Sequence, residues 1–128
     1  MVDSKKYEEW FKMAQKDMKG AKILYEHKGD NGIICFHCQQ AIEKHLKGFL
    51  IKVTGELLEG HNLVKLCRKA AVYEKSLDRF LRDVAFVNAF YIETRYPADD
   101  PLEISRQDAE DCIKIAEEII KKIEGLVK

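Results

Sequence analysis

The sequence predicts an all-α protein, an up-and-down bundle of four long helices with one short additional helix. Apolar residues recur at helical spacing along nearly the whole chain, and no stretch alternates as a half-buried strand does. Only 7 Gly and 2 Pro punctuate the 128 residues, too few for a turn-dense β-protein. An apolar fraction of 46% argues against disorder. At this length, folding buries roughly two-thirds of the surface that the unfolded chain exposes, so a single domain over 1–128 can hold a core without metal or disulfide staples.

The first helix is expected over about 4–27, with Tyr7, Trp10, Phe11, Ala14, Met18, Ala21 and Leu24 on one stripe. Asp3 or Ser4 is placed to cap it, and Gly29 suits a left-handed exit. The second, about 31–54, repeats Ile34, Ala41, Ile42, Phe49, Leu50 and Val53 and ends near Gly55. A helix of ~24 residues spans ~36 Å, so the first two can pair as a long antiparallel hairpin. A short helix over about 62–71 turns Leu63, Leu66 and Cys67 inward. The fourth, about 76–92, presents Leu77, Phe80, Leu81, Val84, Asn88 and Tyr91, with Ser76 as N-cap, before Pro97 and Pro101 break the pattern. The last, about 105–127, opens on Ser105-Arg106-Gln107-Asp108, a variant capping box. It carries Ala109, Cys112, Ile113, Ala116, Ile119, Ile120, Ile123 and Val127. Helices this long in a small domain leave broad flanks, which a two-fold homodimer would cover.

Charge and cysteine usage narrow the function. The 22 basic and 22 acidic residues cancel, so contact with nucleic acid must rest on a local patch. No apolar run approaches the ~20 residues that span a bilayer, and the N-terminus lacks a signal peptide's apolar core. The chain therefore reads as soluble, cytoplasmic and without a membrane partner. Cys35 and Cys38 have C-x-x-C spacing with His37 and His45 nearby, but no second ligand couple completes a zinc site. No βαβ pattern surrounds them either, so all four cysteines read as reduced, buried thiols, with no metal and no cofactor.

Two places break the amphipathic rule. In the second helix His37, Gln40, Lys44 and Lys47 follow one another at steps of three and four and share a row. Gln40 borders the apolar stripe, whereas Glu43 and Lys47 read as an i,i+4 pair on a solvated face. The second break is Asn88 to Pro101. Asn88 occupies a stripe position, and Arg95, seven residues on, extends from the same face if the helix continues that far. Its guanidinium offers a planar fork suited to phosphate; Asp99 and Asp100 are the internal alternative, closing a clasp that fixes the loop.

The run Gln39 to Lys47, His61-Asn62-Leu63 and Thr94-Arg95-Tyr96-Pro97 together resemble the HEPN domain family, as does Trp10 with the Ala14, Asp17, Ala21, Leu24 pattern. The resemblance covers nearly the whole chain. It implies an all-helical bundle that commonly dimerises, first regarded as nucleotide-binding. It also implies a toxin–antitoxin-type pairing with a minimal nucleotidyltransferase and, in many members, metal-independent ribonuclease activity. The ribonuclease branch carries an Arg followed a few residues on by a His. Arg95 matches the Arg, but the positions for His hold Asp100, Pro101 and Leu102. His37, His45 and His61 are other sources of an imidazole, and spacing selects none of them.

The reading that follows is a HEPN-like module, not an enzyme, that binds the phosphate of a nucleotide or RNA. Arg95 holds phosphate, Tyr96 stacks on a base, and Gln40 and Lys44 complete the cleft. Asn88, Tyr91, Asp99 and Asp100 support it. Two rivals stay open: a metal-independent ribonuclease toxin using Arg95 with an unidentified base, and a purely structural protein that presents a surface to the nucleotidyltransferase.

Overall fold

The computed structural model describes residues 4–91, 97 and 103–127, and every regular element among them is helical. α1 covers Tyr7–Glu26, α2 Asn31–Thr54, α3 Leu63–Tyr73, α4 Leu81–Asn88 and α5 Arg106–Leu126; a 3-10 helix, Lys75–Phe80, leads into α4. Among the described residues, no helix is long and apolar enough to cross a membrane.

α2 packs against α1, α3, α4 and α5 alike. A helix surrounded in this way cannot keep a solvated face, and between Ala41 and Ile51 every residue except Lys44 is buried. α1 and α5 flank it and keep single stripes: Phe11, Ala14, Met18 and Ala21 on α1, and Ala109 through Ile123 on α5. Both ends of α2 are fixed. Asp30 accepts a hydrogen bond from the Ile33 N–H at 2.9 Å, and Gly55, at φ 77°, donates to the Ile51 carbonyl at 2.8 Å.

The predicted hairpin of α1 and α2 closes tightly. A Cβ on Gly48 would lie 2.7 Å from Phe11 Cε1 and 3.3 Å from Trp10 Cβ, so only glycine lets the helices approach this far. The Phe11 ring cannot yield easily, because it stacks on the fully buried His45 at 4.7 Å between centroids. His45 in turn reaches the Glu124 carboxylate of α5 through Nε2 at 3.2 Å and the Ala41 carbonyl through Nδ1 at 3.3 Å. Burial pushes its pKa below the ordinary 6.5, against the opposing pull of Glu124.

Several expected details are corrected. The fourth helix is not continuous α-helix from 76: Lys75–Phe80 is 3-10, with three residues per turn. The tighter winding changes the register, so that Val87 and Phe90 are buried, where the uniform α period placed Asn88 and Tyr91. Ser76 is not the N-cap, since its hydroxyl donates to the Glu74 carboxylate at 2.9 Å. Lys6 takes the N-cap position of α1 without a side-chain cap. Ser4 instead accepts from the Lys6 N–H and, through its carbonyl, from the Trp10 indole; Asp3 lies outside the described residues. The left-handed residue after α1 is Lys28, at φ 57°. Gly29 serves there by its smallness: a Cβ would meet Leu24 Cδ2 at 2.8 Å. Val53, in the last turn of α2, is exposed. The capping box at Ser105 and Asp108 forms as predicted, both hydrogen bonds at 3.0 Å.

All four cysteines are free and buried. Burial raises the Cys67 thiol to about 11, and burial with Cys35 close by raises Cys38 further. Cys112 is raised above all by its hydrogen bond with Cys35, across the contact of α5 with α2.

Gly48→Val should therefore cost about 2 kcal/mol in chemical denaturation by overpacking. Gly20→Ala, where an added Cβ meets nothing within 4 Å, should gain about 0.5–1 kcal/mol from helix propensity. Acid stability provides a second check. The folded state favours neutral His45, so the unfolded chain takes up the proton first as pH falls below 6.5. Stability should decline from there toward pH 5, and His45→Gln should flatten that limb; equal slopes for both proteins would contradict the assignment.

Candidate functional site

The polar break in α2 forms a buried cluster. Gln39, Glu43 and Lys47 are spaced one turn apart and are 0%, 4% and 6% exposed. Lys47 Nζ lies 3.2 Å from Glu43 Oε2, and Gln39 Nε2 lies 3.4 Å from Oε1. The Glu43–Lys47 pair predicted on a solvated face is thus buried, because α2 has neighbours on every side.

The chain between α2 and α3 completes the cluster. His61 Nδ1 meets both carboxylate oxygens of Glu43, at 3.0 and 3.2 Å, while Gln39 Nε2 also donates to the His61 carbonyl at 3.2 Å. The loop is held there by the start of α3, whose N–H groups have side-chain acceptors. Asn62 accepts from Val64 and Lys65, and Asn88 accepts from Leu63 at 3.0 Å. Tyr91 stacks on His61 at 5.3 Å and 15° and lies 6.1 Å from Phe36. One polar cluster therefore joins α2, the α2–α3 loop and the residues after α4.

The imidazole of His61 is 56% exposed and forms a wall of a cleft of about 270 Å³ with Trp10, Lys47 and the 57–60 turn. Trp10 also borders a second hollow of about 260 Å³ with Met13 and Lys44. Lys47 Nζ stands 5.9 Å from the centroid of the Trp10 ring, so a cation and an aromatic surface share the cleft. A wider hollow of about 570 Å³ between α1 and α5, lined by opposing charges such as Lys22 and Glu117, takes in none of the predicted site residues.

The predicted row on α2 divides in two. His37 and Lys44 turn onto Asp17 of α1, at 3.3 and 2.6 Å, whereas Gln40 joins the cluster by donating to Gln39 Oε1 at 2.7 Å. Asn88 caps α3 and Tyr91 supports the His61 ring. Arg95, Tyr96, Asp99 and Asp100 lie outside the described residues. Gln39, Glu43 and His61 were missed as site residues. The available signal was a pair of glutamines beside the apolar stripe with a carboxylate one turn further on. Among the described residues, no group of three His, Cys, Asp or Glu side chains is arranged to hold a metal ion.

Comparison with known proteins follows the same outline. The sequence profile of the HEPN domain matches residues 7–126. The chain belongs to the HEPN domain family. A candidate toxin of Methanocaldococcus jannaschii, MJ1304, is 28% identical over 96% of this chain and 90% of its own length. Among solved structures, TT1696 of Thermus thermophilus superposes with a TM-score of 0.84 at 25% identity, covering 93% of this chain and 96% of its own. ST0689, an archaeal HEPN homologue, gives 0.76 at 25% identity, covering 96% and 98%. The HEPN resemblance seen in the sequence, and the all-α fold it implied, are thereby confirmed.

In this HEPN domain the buried Glu43–Lys47 pair is costly to break from one side. Glu43→Ala leaves a buried ammonium unpaired and should destabilise the fold by about 3–5 kcal/mol. The double substitution Glu43→Leu with Lys47→Met removes both charges and should cost far less in the same denaturant titration.

Proposed function

We propose that this HEPN domain is the toxin-type member of a two-component pair and binds the phosphate of a nucleotide or RNA at the corner beside His61 and Tyr91. The observation that carries this reading is the polar cluster itself. It ties the α2 face to Tyr91, and Arg95 follows Tyr91 by four residues in the chain. Arg95 supplies the fork for phosphate and Tyr96 a ring for a base. Lys44 has three ammonium hydrogens, so its pairing with Asp17 leaves donors for a second anion, and Gln40 keeps its own carbonyl as an acceptor.

The similarity to a candidate toxin supports the first half of the reading. Its counterpart is a minimal nucleotidyltransferase, and the domain works as a homodimer. Titration of nucleotides and short RNAs against wild type and Arg95→Ala tests the site. Wild type should bind with an affinity that falls as salt rises. The variant should lose about 1.5–3 kcal/mol, the worth of hydrogen bonds to a charged group. Equal and negligible binding by both proteins would remove the proposal.

A further inference from the structure

The C-x-x-C of α2 completes no metal site, and the structure gives it a different partner. Cys35 shares a hydrogen bond with Cys112 of α5, across the contact of the two helices, and Cys38 lies one turn further along α2. The bond favours the protonated form of Cys112, so Cys112 is the donor and the Cys35 sulfur accepts. All three thiols are fully buried.

The sulfurs meet because the register of α2 on α5 is fixed on both sides of them. Before the pair, Asn31 Nδ2 donates to the Ile104 carbonyl at 3.2 Å; after it, His45 Nε2 meets Glu124 Oε1 at 3.2 Å. The three contacts follow the same order in both segments, so the helices run parallel here and neither can slide past the other. Ala109 and Ala116 stand one turn before and one turn after Cys112, on the same face of α5, and both are fully buried. Small neighbours of this kind let two backbones approach, and a disulfide needs its Cα atoms within about 7 Å. The other two thiols are placed less well. A bond from Cys38 to Cys35 would have to close within a single helical turn, and Cys67 is engaged elsewhere, with the Leu77 carbonyl at 3.5 Å.

We propose that Cys35 and Cys112 form a site of reversible oxidation, closed to a disulfide by hydrogen peroxide, that staples α2 to α5. The resting protein is the dithiol. When α5 lifts from α2, the Cys35 sulfur attacks one oxygen of the peroxide. The O–O bond breaks, a sulfenic acid forms, and the second oxygen leaves as water with the thiol's proton. Cys112 then attacks that sulfur, its proton leaves with the hydroxyl as water, and the S–S bond closes as the helices repack. The two thiols give up two electrons, and one peroxide becomes two waters. A small oxidant suits the place, because one added oxygen can re-enter a close-packed interface where a bulky adduct cannot. The loop so closed, 35–112, contains the whole polar cluster from Gln39 to Tyr91, so the staple ties both ends of that scaffold without touching it.

The test treats the full chain in native buffer with hydrogen peroxide, removes the excess with catalase, alkylates the remaining thiols in denaturant and maps the bond by peptide mass. Wild type should lose two of its four thiols and yield a Cys35–Cys112 peptide pair that dithiothreitol reverses. Cys38→Ala should form the same pair, whereas Cys35→Ala and Cys112→Ala should form none. The oxidised protein should unfold at a urea midpoint about 1 M or more above that of the reduced one, and lose the gain in dithiothreitol. The wild-type map decides the matter even where a variant fails to fold. A bond mapped to Cys38 or Cys67, a bond between two molecules, or thiols that pass only to sulfinic acid would overturn the proposal. So would a Cys35–Cys112 bond that leaves the urea midpoint unchanged or lowers it.

Discussion

A carboxylate held away from water organises this molecule. Desolvating Glu43 is costly by several kcal/mol, and the fold accepts it because three donors converge on the group. Two, from Gln39 and Lys47, come from α2 itself, one turn before and one turn after. The third is His61, and supplying it obliges the chain after Gly55 to fold back onto the helix it has just left. That return sets where α3 begins, and the caps at Asn62 and Asn88 follow from it. A polar group in the interior thereby specifies the path of a loop, which apolar packing alone would leave free to slide.

The other side of α2 works by the opposite principle. Facing α1 there is an absence of bulk at Gly48, the flat Phe11 ring against His45, and the small residues Ala14 and Ala21. Close approach leaves little space between the two helices, and the ion pair of Asp17 with Lys44 lies at its margin. α2 therefore meets α1 through shape and the α2–α3 loop through charge. The cleft at Trp10 and Lys47 lies where these two kinds of contact adjoin.

Much of the fold could be read directly from residue order. Apolar spacing located α2 to the residue, and Ser105 with Asp108 announced the start of α5. The 3-10 stretch before α4 escaped because its apolar residues, Leu77 and Phe80, are three apart, a step that a 3-10 helix and an α-helix both place on one face. The site was harder to read for a different reason. Helical spacing shows which side chains share a row but not which neighbours will cover it. The row containing Lys44 and Lys47 was therefore read as one face, although Lys44 turns to α1 and Lys47 to the interior. His61 stood in a family-like motif, but spacing could not single it out among the imidazoles, since its partner is eighteen residues earlier in the chain.

The four sulfurs have a practical consequence. Cys35 and Cys38 on α2, Cys67 on α3 and Cys112 on α5 are all shut inside, and protonated thiols react poorly with electrophiles. A water-borne alkylating reagent reaches them only in molecules that have opened, so the yield of labelled protein over time counts excursions from the native state. Cys67 modified ahead of the other three would mark a short helix that detaches alone, and simultaneous modification of all four would mark a bundle that opens as a unit.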